Sequence, residues 1–206
     1  MHQRPLTFFP LAPLPRRQTD TRTQQRLGFS GWRSAIELRG GQPRDGWFIA
    51  RSVLSEGMNP LGLQPQRFLV ACDRDEAAGV LRPVGFGQLR PLSKDALELA
   101  SMYVLPQYRR RGIASTIIRA LLDRETQRLA SVPPEQGRRV VFCLTVGSER
   151  LYKRHGFVEL DPFAAPGDAD TVRVPQCLRF EILAGRVVAG ILRPGEPLSL
   201  LCCRLG

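Results

Sequence analysis

The stretch LELASMYVLPQYRRRGIASTIIRALL, residues 97–122, decides the fold. Its first part reads as a strand that Pro106 ends. Its last part is a helix with Ile113, Ile117, Leu121 and Leu122 on one face. Between them Arg109, Arg110 and Arg111 run into Gly112, an apolar residue and then small side chains. A strand, a short loop and a helix in this order expose N–H groups that have no intrahelical partner, at the positive end of the helix dipole. An anion fits there, and Gly112 and Ala114 let a phosphate approach the backbone. The same residues also read as an exposed basic loop capping a surface helix. No GKS or GKT follows, and there is no GxGxxG, so neither common nucleotide loop is present.

Working outward, SAIELR (34–39) alternates as a strand, and 44–57 carries Trp47, Phe48, Ala50, Val53 and Leu54 at helical spacing. Strands follow at 67–72, 84–92 and 96–105, then the helix at 112–130 and a strand at 138–146. A short helix spans 147–155, closed by Gly156, and a strand begins near 157. QCLRFEIL (176–183) alternates as a strand, and 185–206 reads as a strand or hairpin extension of the sheet around a Pro-Gly turn. The order predicts an α+β fold with a mixed, mostly antiparallel central sheet flanked by helices. Residues 1–30 read as an N-terminal extension, disordered or transit-like, and 31–184 as the main domain.

The 206 residues suffice for one domain with a core. Net charge is +11, and only Lys94 and Lys153 are lysines, so arginine carries the excess. Such a balance attracts polyanions: nucleic acid, acidic surfaces or phosphorylated small molecules. No apolar run reaches the roughly 20 residues of a membrane span. The five cysteines, Cys72, Cys143, Cys177, Cys202 and Cys203, show no CxxC pair and no His/Cys ligand spacing. They read as reduced, mostly buried thiols, with no metal expected. The segment before Asp20 is free of acids and broken by prolines, which makes a poor secretory signal. The expected location is the cytoplasm, or the plastid stroma if residues 1–30 form a transit segment.

Arg109-x-x-Gly112-x-Ala114 resembles the pyrophosphate-binding R/Q-x-x-G-x-G/A motif of the GNAT family of N-acetyltransferases. LYKRHGF (151–157) resembles that family's L-Y-x-x-x-G-F signature, at a suitable distance downstream. The resemblance covers roughly 34–183, and the overall pattern looks like the cyanobacterial and plastid members. It implies a GNAT-type fold and acetyl-CoA as cosubstrate. Backbone groups of Met102, Tyr103 and Val104 would hold the pantetheine arm, and Arg109, Arg110, Arg111, Gly112, Ile113, Ala114 and Ser115 the pyrophosphate. Tyr152 matches the tyrosine that protonates the departing CoA thiolate; a phenol with a value near ~10 keeps its proton at neutral pH. Glu98 stands where histone-type members place a catalytic glutamate, and could take the proton of the attacking ammonium. A solvated strand residue is the plain alternative, and Glu181 a weaker candidate. Thr145 and Ser148 depart from the family's usual Asn and Ala, which puts that pantetheine contact in question.

The implied reaction is direct transfer of acetyl to a primary amine: a protein N-terminus, a lysine or a small amine. The loop at 54–68 has Glu56 as its only acid, which favours a peptide or protein acceptor over a polyamine. Two other readings compete. One is a basic nucleic-acid-binding protein using the arginine loop on phosphate backbone; it lacks basic–aromatic interleaving and leaves LYKRHGF unexplained. The other is a non-catalytic acyl-CoA-binding GNAT fold. The C-terminal tail could also form a homodimer surface.

Overall fold

The computed structural model describes residues 36–60, 62–75, 79–133, 138–163, 172–192 and 197–205. The expected extension at residues 1–30 lies outside them. In chain order the elements are β1 (Ile36–Gly40), α1 (Gly46–Ser55), β2 (Phe68–Asp75), β3 (Val80–Pro91), β4 (Ala96–Val104) and α2 (Ile113–Ala130). Then come β5 (Arg139–Val146), α3 (Glu149–Lys153), β6 (Val158–Glu159), α4 (Gln176–Leu192) and β7 (Leu198–Leu205). Among the described residues the strands form one seven-stranded sheet in the order β1-β2-β3-β4-β5-β7-β6. Every neighbouring pair is antiparallel except β4 with β5.

Alternation along the strands sends side chains to two layers. On one face Leu69, Leu97, Leu99, Val141 and Cys143 pack with Ile113, Ile117, Ile118 and Leu121 of α2 and with Tyr152 and Phe157. The other face has two centres. Ile49 and Val53 of α1 cover Phe68, Val70, Cys72 and Phe86. Leu178 and Ile182 of α4 cover Ala96, Phe142, Leu200 and Cys202.

The strand expected at 176–183 is the first half of α4. Leu178, Phe180 and Ile182 alternate with Arg179 and Glu181, but Leu178 and Ile182 are also one helical turn apart. The protein buries those two, at 0% and 1% exposure, and leaves Phe180 73% exposed. Val174, two residues before α4, is buried in the same cluster, and a helical period underlies the apparent alternation of two. Cys177 is accordingly exposed rather than buried. Of the strand or hairpin extension expected at 185–206, the strand is present as β7, while α4 runs on to Leu192 in place of a first hairpin strand. β7 lies between β5 and β6, so its apolar LSLLCC run is not left as a bare edge.

Asp45 fixes the entry to α1. Its carboxylate is 3% exposed and accepts two bonds from the Arg39 guanidinium, at 2.7 and 2.8 Å, and one from the Gln42 N–H at 2.7 Å. The bond from Arg39 is the main reason its carboxyl lies below the usual range. Replacing Asp45 with Asn leaves a largely buried arginine uncompensated. The expected loss is about 3 kcal/mol, read as a lower urea midpoint at unchanged slope. A depressed folded value stabilises above the ordinary carboxylate range and is lost as pH falls through it. The deficit of Asp45→Asn should therefore shrink in acid.

Candidate active site

The site grows from the end of β4. On its β3 side, Phe86 faces Tyr103 and Gln88 faces Ala100, so Ser101 and Met102 stand opposite the lone Gly87. This is a bulge, and Ser101 takes a φ of 52°. A Cβ at Gly87 would lie 2.1 Å from the Met102 Sδ and 3.1 Å from Ile117, so the Met102 side chain would have to move to admit one. On its β5 side, β4 pairs only through Ala96, Leu97 and Glu98, opposite Val140, Val141 and Phe142. Beyond that point the two strands part. The backbone of Met102, Tyr103 and Val104 thus borders an opening where no β5 ladder partner stands.

The loop from Pro106 leads straight into α2. Arg110 and Gly112 have φ of 64° and 79°, and Gly112 is the N-cap. A Cβ at Gly112 would meet nothing within 4 Å. The Thr116 N–H bonds the Gly112 carbonyl at 3.0 Å. The N–H groups of Ile113, Ala114 and Ser115 therefore precede the first closed turn and have no acceptor within the helix. Tyr108 donates to Asp73 on β2 at 2.6 Å and ties the loop to the sheet. The Arg111 guanidinium lies 5.0 Å from the centre of the Tyr108 ring.

The arginines are not equivalent. Arg109 donates from Nε to the Val104 carbonyl at 2.9 Å and from Nη2 to Glu56 at 2.6 Å. It thereby clips the end of β4 to the turn after α1, and its side chain is spent on the loop's shape. Its backbone N–H is engaged as well, by the Pro106 carbonyl at 3.2 Å, so the N–H groups left for an anion are those from Arg110 onward.

Tyr152 is 6% exposed, with its ring edge-on to Phe157 at 5.9 Å. The Cys143 thiol and the Thr145 hydroxyl stand beside its phenol, and burial pushes the phenol well above its ordinary value. Those two residues lie just past Phe142, the last β5 residue paired with β4. The phenol therefore sits at the apex of the opening, on the α2 face. Thr145 is 8% exposed, and Ser148 is the N-cap of α3.

Glu98 points to the opposite face, where α4 packs. It is 5% exposed. Burial raises its carboxyl above the usual range, Arg90 opposes this, and Glu181 adds to it. Arg90 donates from Nε to Glu98 at 2.9 Å and from Nη2 to Glu181 at 2.7 and 2.8 Å. Arg90 was not expected from the sequence. The signal that could have found it is the tight turn at 92–95, which puts Arg90 directly opposite Glu98 across the hairpin.

Residues 64–159 match the family model described as an acetyltransferase (GNAT) domain. That stretch, a little under half of the chain, resembles a GNAT domain. The chain is 38% identical over 81 residues to the uncharacterized N-acetyltransferase YedL of Escherichia coli, covering 39% of this chain and 49% of YedL. The chain thus spans about half the length of that curated relative. Rv2747 of Mycobacterium tuberculosis, solved in complex with CoA, is 24% identical with a TM-score of 0.57, over 82% of this chain and 99% of that one. N-acetylglutamate synthase of Neisseria gonorrhoeae, complexed with coenzyme A and N-acetyl-glutamate, is 17% identical with a TM-score of 0.56, over 83% of this chain and 35% of that one. These structures establish that the sheet follows the fold of that family. Among the described residues no helix is long and apolar enough to cross a membrane.

Proposed function

We propose that this chain transfers an acetyl group from acetyl-CoA directly to a primary amine. The observation that carries the reading is the opening between β4 and β5. The unclosed first turn of α2 follows its rim, Tyr152 stands on one face and Glu98 on the other. The N–H groups from Arg110 to Ser115 bind the pyrophosphate, and Arg110 and Arg111 add charge. Backbone groups of Met102, Tyr103 and Val104 hold the pantetheine arm, and the hydroxyls of Thr145 and Ser148 offer further polar contacts.

The thioester lies in the opening between two proton-handling groups. The amine approaches from the α4 face and gives its proton to Glu98, which burial makes more basic than an ordinary carboxylate. The thiolate departs toward the α2 face. Tyr152 donates a hydrogen bond to the sulfur as charge develops there. Thr145, which favours the ionised phenol, eases full proton transfer. The acceptor is a peptide or protein amine: the only acid of the 54–68 loop, Glu56, is engaged by Arg109, which disfavours a polyamine.

The test is a thermal-shift series with acetyl-CoA, CoA and a short DNA duplex at two salt concentrations, followed by free-thiol release with a panel of amines. Ligand at about 100 times its Kd stabilises by roughly 2.7 kcal/mol. A salt-resistant shift with acetyl-CoA, and thiol release that depends on a peptide amine, are expected. A shift without transfer would leave an acyl-CoA-binding fold that lacks catalysis. A shift with DNA alone, lost in salt, would overturn the reading.

A further inference from the structure

We propose that Arg90 and Glu181 are positioning residues that hold Glu98 ionised and oriented toward the acceptor, so that α4 takes part in the acid–base step. This rests on the reading of Glu98 as the base.

The three side chains come from separate elements: Arg90 from β3, Glu98 from β4 and Glu181 from α4. Their side-chain exposures rise from the sheet outward, 7% for Glu98, 21% for Arg90 and 29% for Glu181. Both bonds from Arg90 reach the Glu98 Oε2. The Oε1 is thus not engaged by the guanidinium and is the oxygen available to an ammonium proton. One arginine serves two carboxylates, so the group keeps a net negative charge toward the acceptor side.

The charges that face Glu98 have opposite effects. A carboxylate this buried, with no cation beside it, would take up a proton and could not act as a base near neutral pH. Arg90 counters that. Glu181 opposes Arg90 twice, by its own charge and by sharing the guanidinium. On β5 the nearby titratable group is the Cys143 thiol, which burial pushes up, so it stays neutral. Removing Arg90 or Glu181 should therefore move the ionisation of Glu98 in opposite directions. A purely structural bridge would give both variants weaker folding and leave that ionisation in place.

The experiment is the pH profile of kcat/KM for the full chain with acetyl-CoA and one peptide amine. Wild type, Glu98→Gln, Arg90→Gln, Arg90→Lys and Glu181→Gln are compared, and the acceptor's own titration is common to all. Glu98→Gln identifies the limb that belongs to Glu98. Arg90→Gln should move that limb up by about one to three pH units, so that activity below it falls about tenfold per unit. Arg90→Lys should return part of the shift, and Glu181→Gln should move the limb down. An acetyl-CoA thermal shift like that of wild type shows that each variant is folded. Should Arg90→Gln fail to fold, the downward shift in Glu181→Gln decides alone. Unmoved limbs in folded variants would overturn the proposal while leaving Glu98 as base. A limb that survives Glu98→Gln would overturn both.

Discussion

Gly112→Glu should abolish acetyl-CoA binding, with at least a 100-fold rise in Kd by calorimetry and no thermal shift. Two effects act together. Gly112 has a φ of 79°, a conformation that costs an L-residue roughly 1–2 kcal/mol. The new carboxylate would also stand at the entrance to α2, beside the N–H groups of Ile113, Ala114 and Ser115, and compete there with the pyrophosphate. Like charges brought together at a binding surface cost several kcal/mol, and each 1.4 kcal/mol is about tenfold in affinity. Gly112→Asn separates the two effects. Asparagine tolerates this backbone conformation better than most residues and carries no charge, and a Cβ here has open space. It should bind acetyl-CoA within about tenfold of wild type. If the glutamate variant binds as well as the asparagine variant, the first turn of α2 does not hold phosphate.

The same stretch shows how far a sequence can be read. β4 and α2 were legible because each carries a strong period and Pro106 and Gly112 separate them. The opening between β4 and β5 was not legible from periodicity. It depends on where ladder pairing stops, after Glu98 and Phe142, and pairing is a property of two strands together. Arg109 shows a related limit. Three consecutive arginines look alike in sequence, yet one of them is engaged by Glu56 and the Val104 carbonyl. α4 was misread because QCLRFEIL satisfies two periods over eight residues, and only the packing of Leu178 and Ile182 decides between them. The strand reading hides the contact between Glu181 and Arg90. Read as a strand residue, Glu181 was a weaker candidate base. On α4 it is a partner of Arg90, and so a neighbour of Glu98. Thr145 was noted for what it replaces in the family pattern, whereas the structure places its hydroxyl beside the Tyr152 phenol.

Tyr152→Phe should lower kcat by about 10²–10⁴, the usual range for loss of a positioned acid, while the Kd for acetyl-CoA stays within a few fold. The argument rests on where the phenol lies. It is buried against Cys143 and Thr145, past the last β5 residue paired with β4, and its ring packs on Phe157. Phenylalanine keeps the ring contact, so binding and folding should change little; loss of one buried hydroxyl costs about 1 kcal/mol of stability. The thiolate then departs without a donor. The pH behaviour gives a second readout. Burial raises the phenol above its ordinary value, so the protonated form persists through pH 10 and beyond. The wild-type rate should therefore show no fall below about pH 10 that disappears in Tyr152→Phe. Such a fall would mean the phenol ionises at its ordinary value or lower, in contact with water. Turnover unchanged in the phenylalanine variant would remove Tyr152 as the acid and leave the thiolate to a water molecule or to the Thr145 hydroxyl. Thr145→Val tells these apart. If Tyr152 is the acid, this variant should lower kcat by less than Tyr152→Phe, because it removes support for the phenolate and not the donor itself.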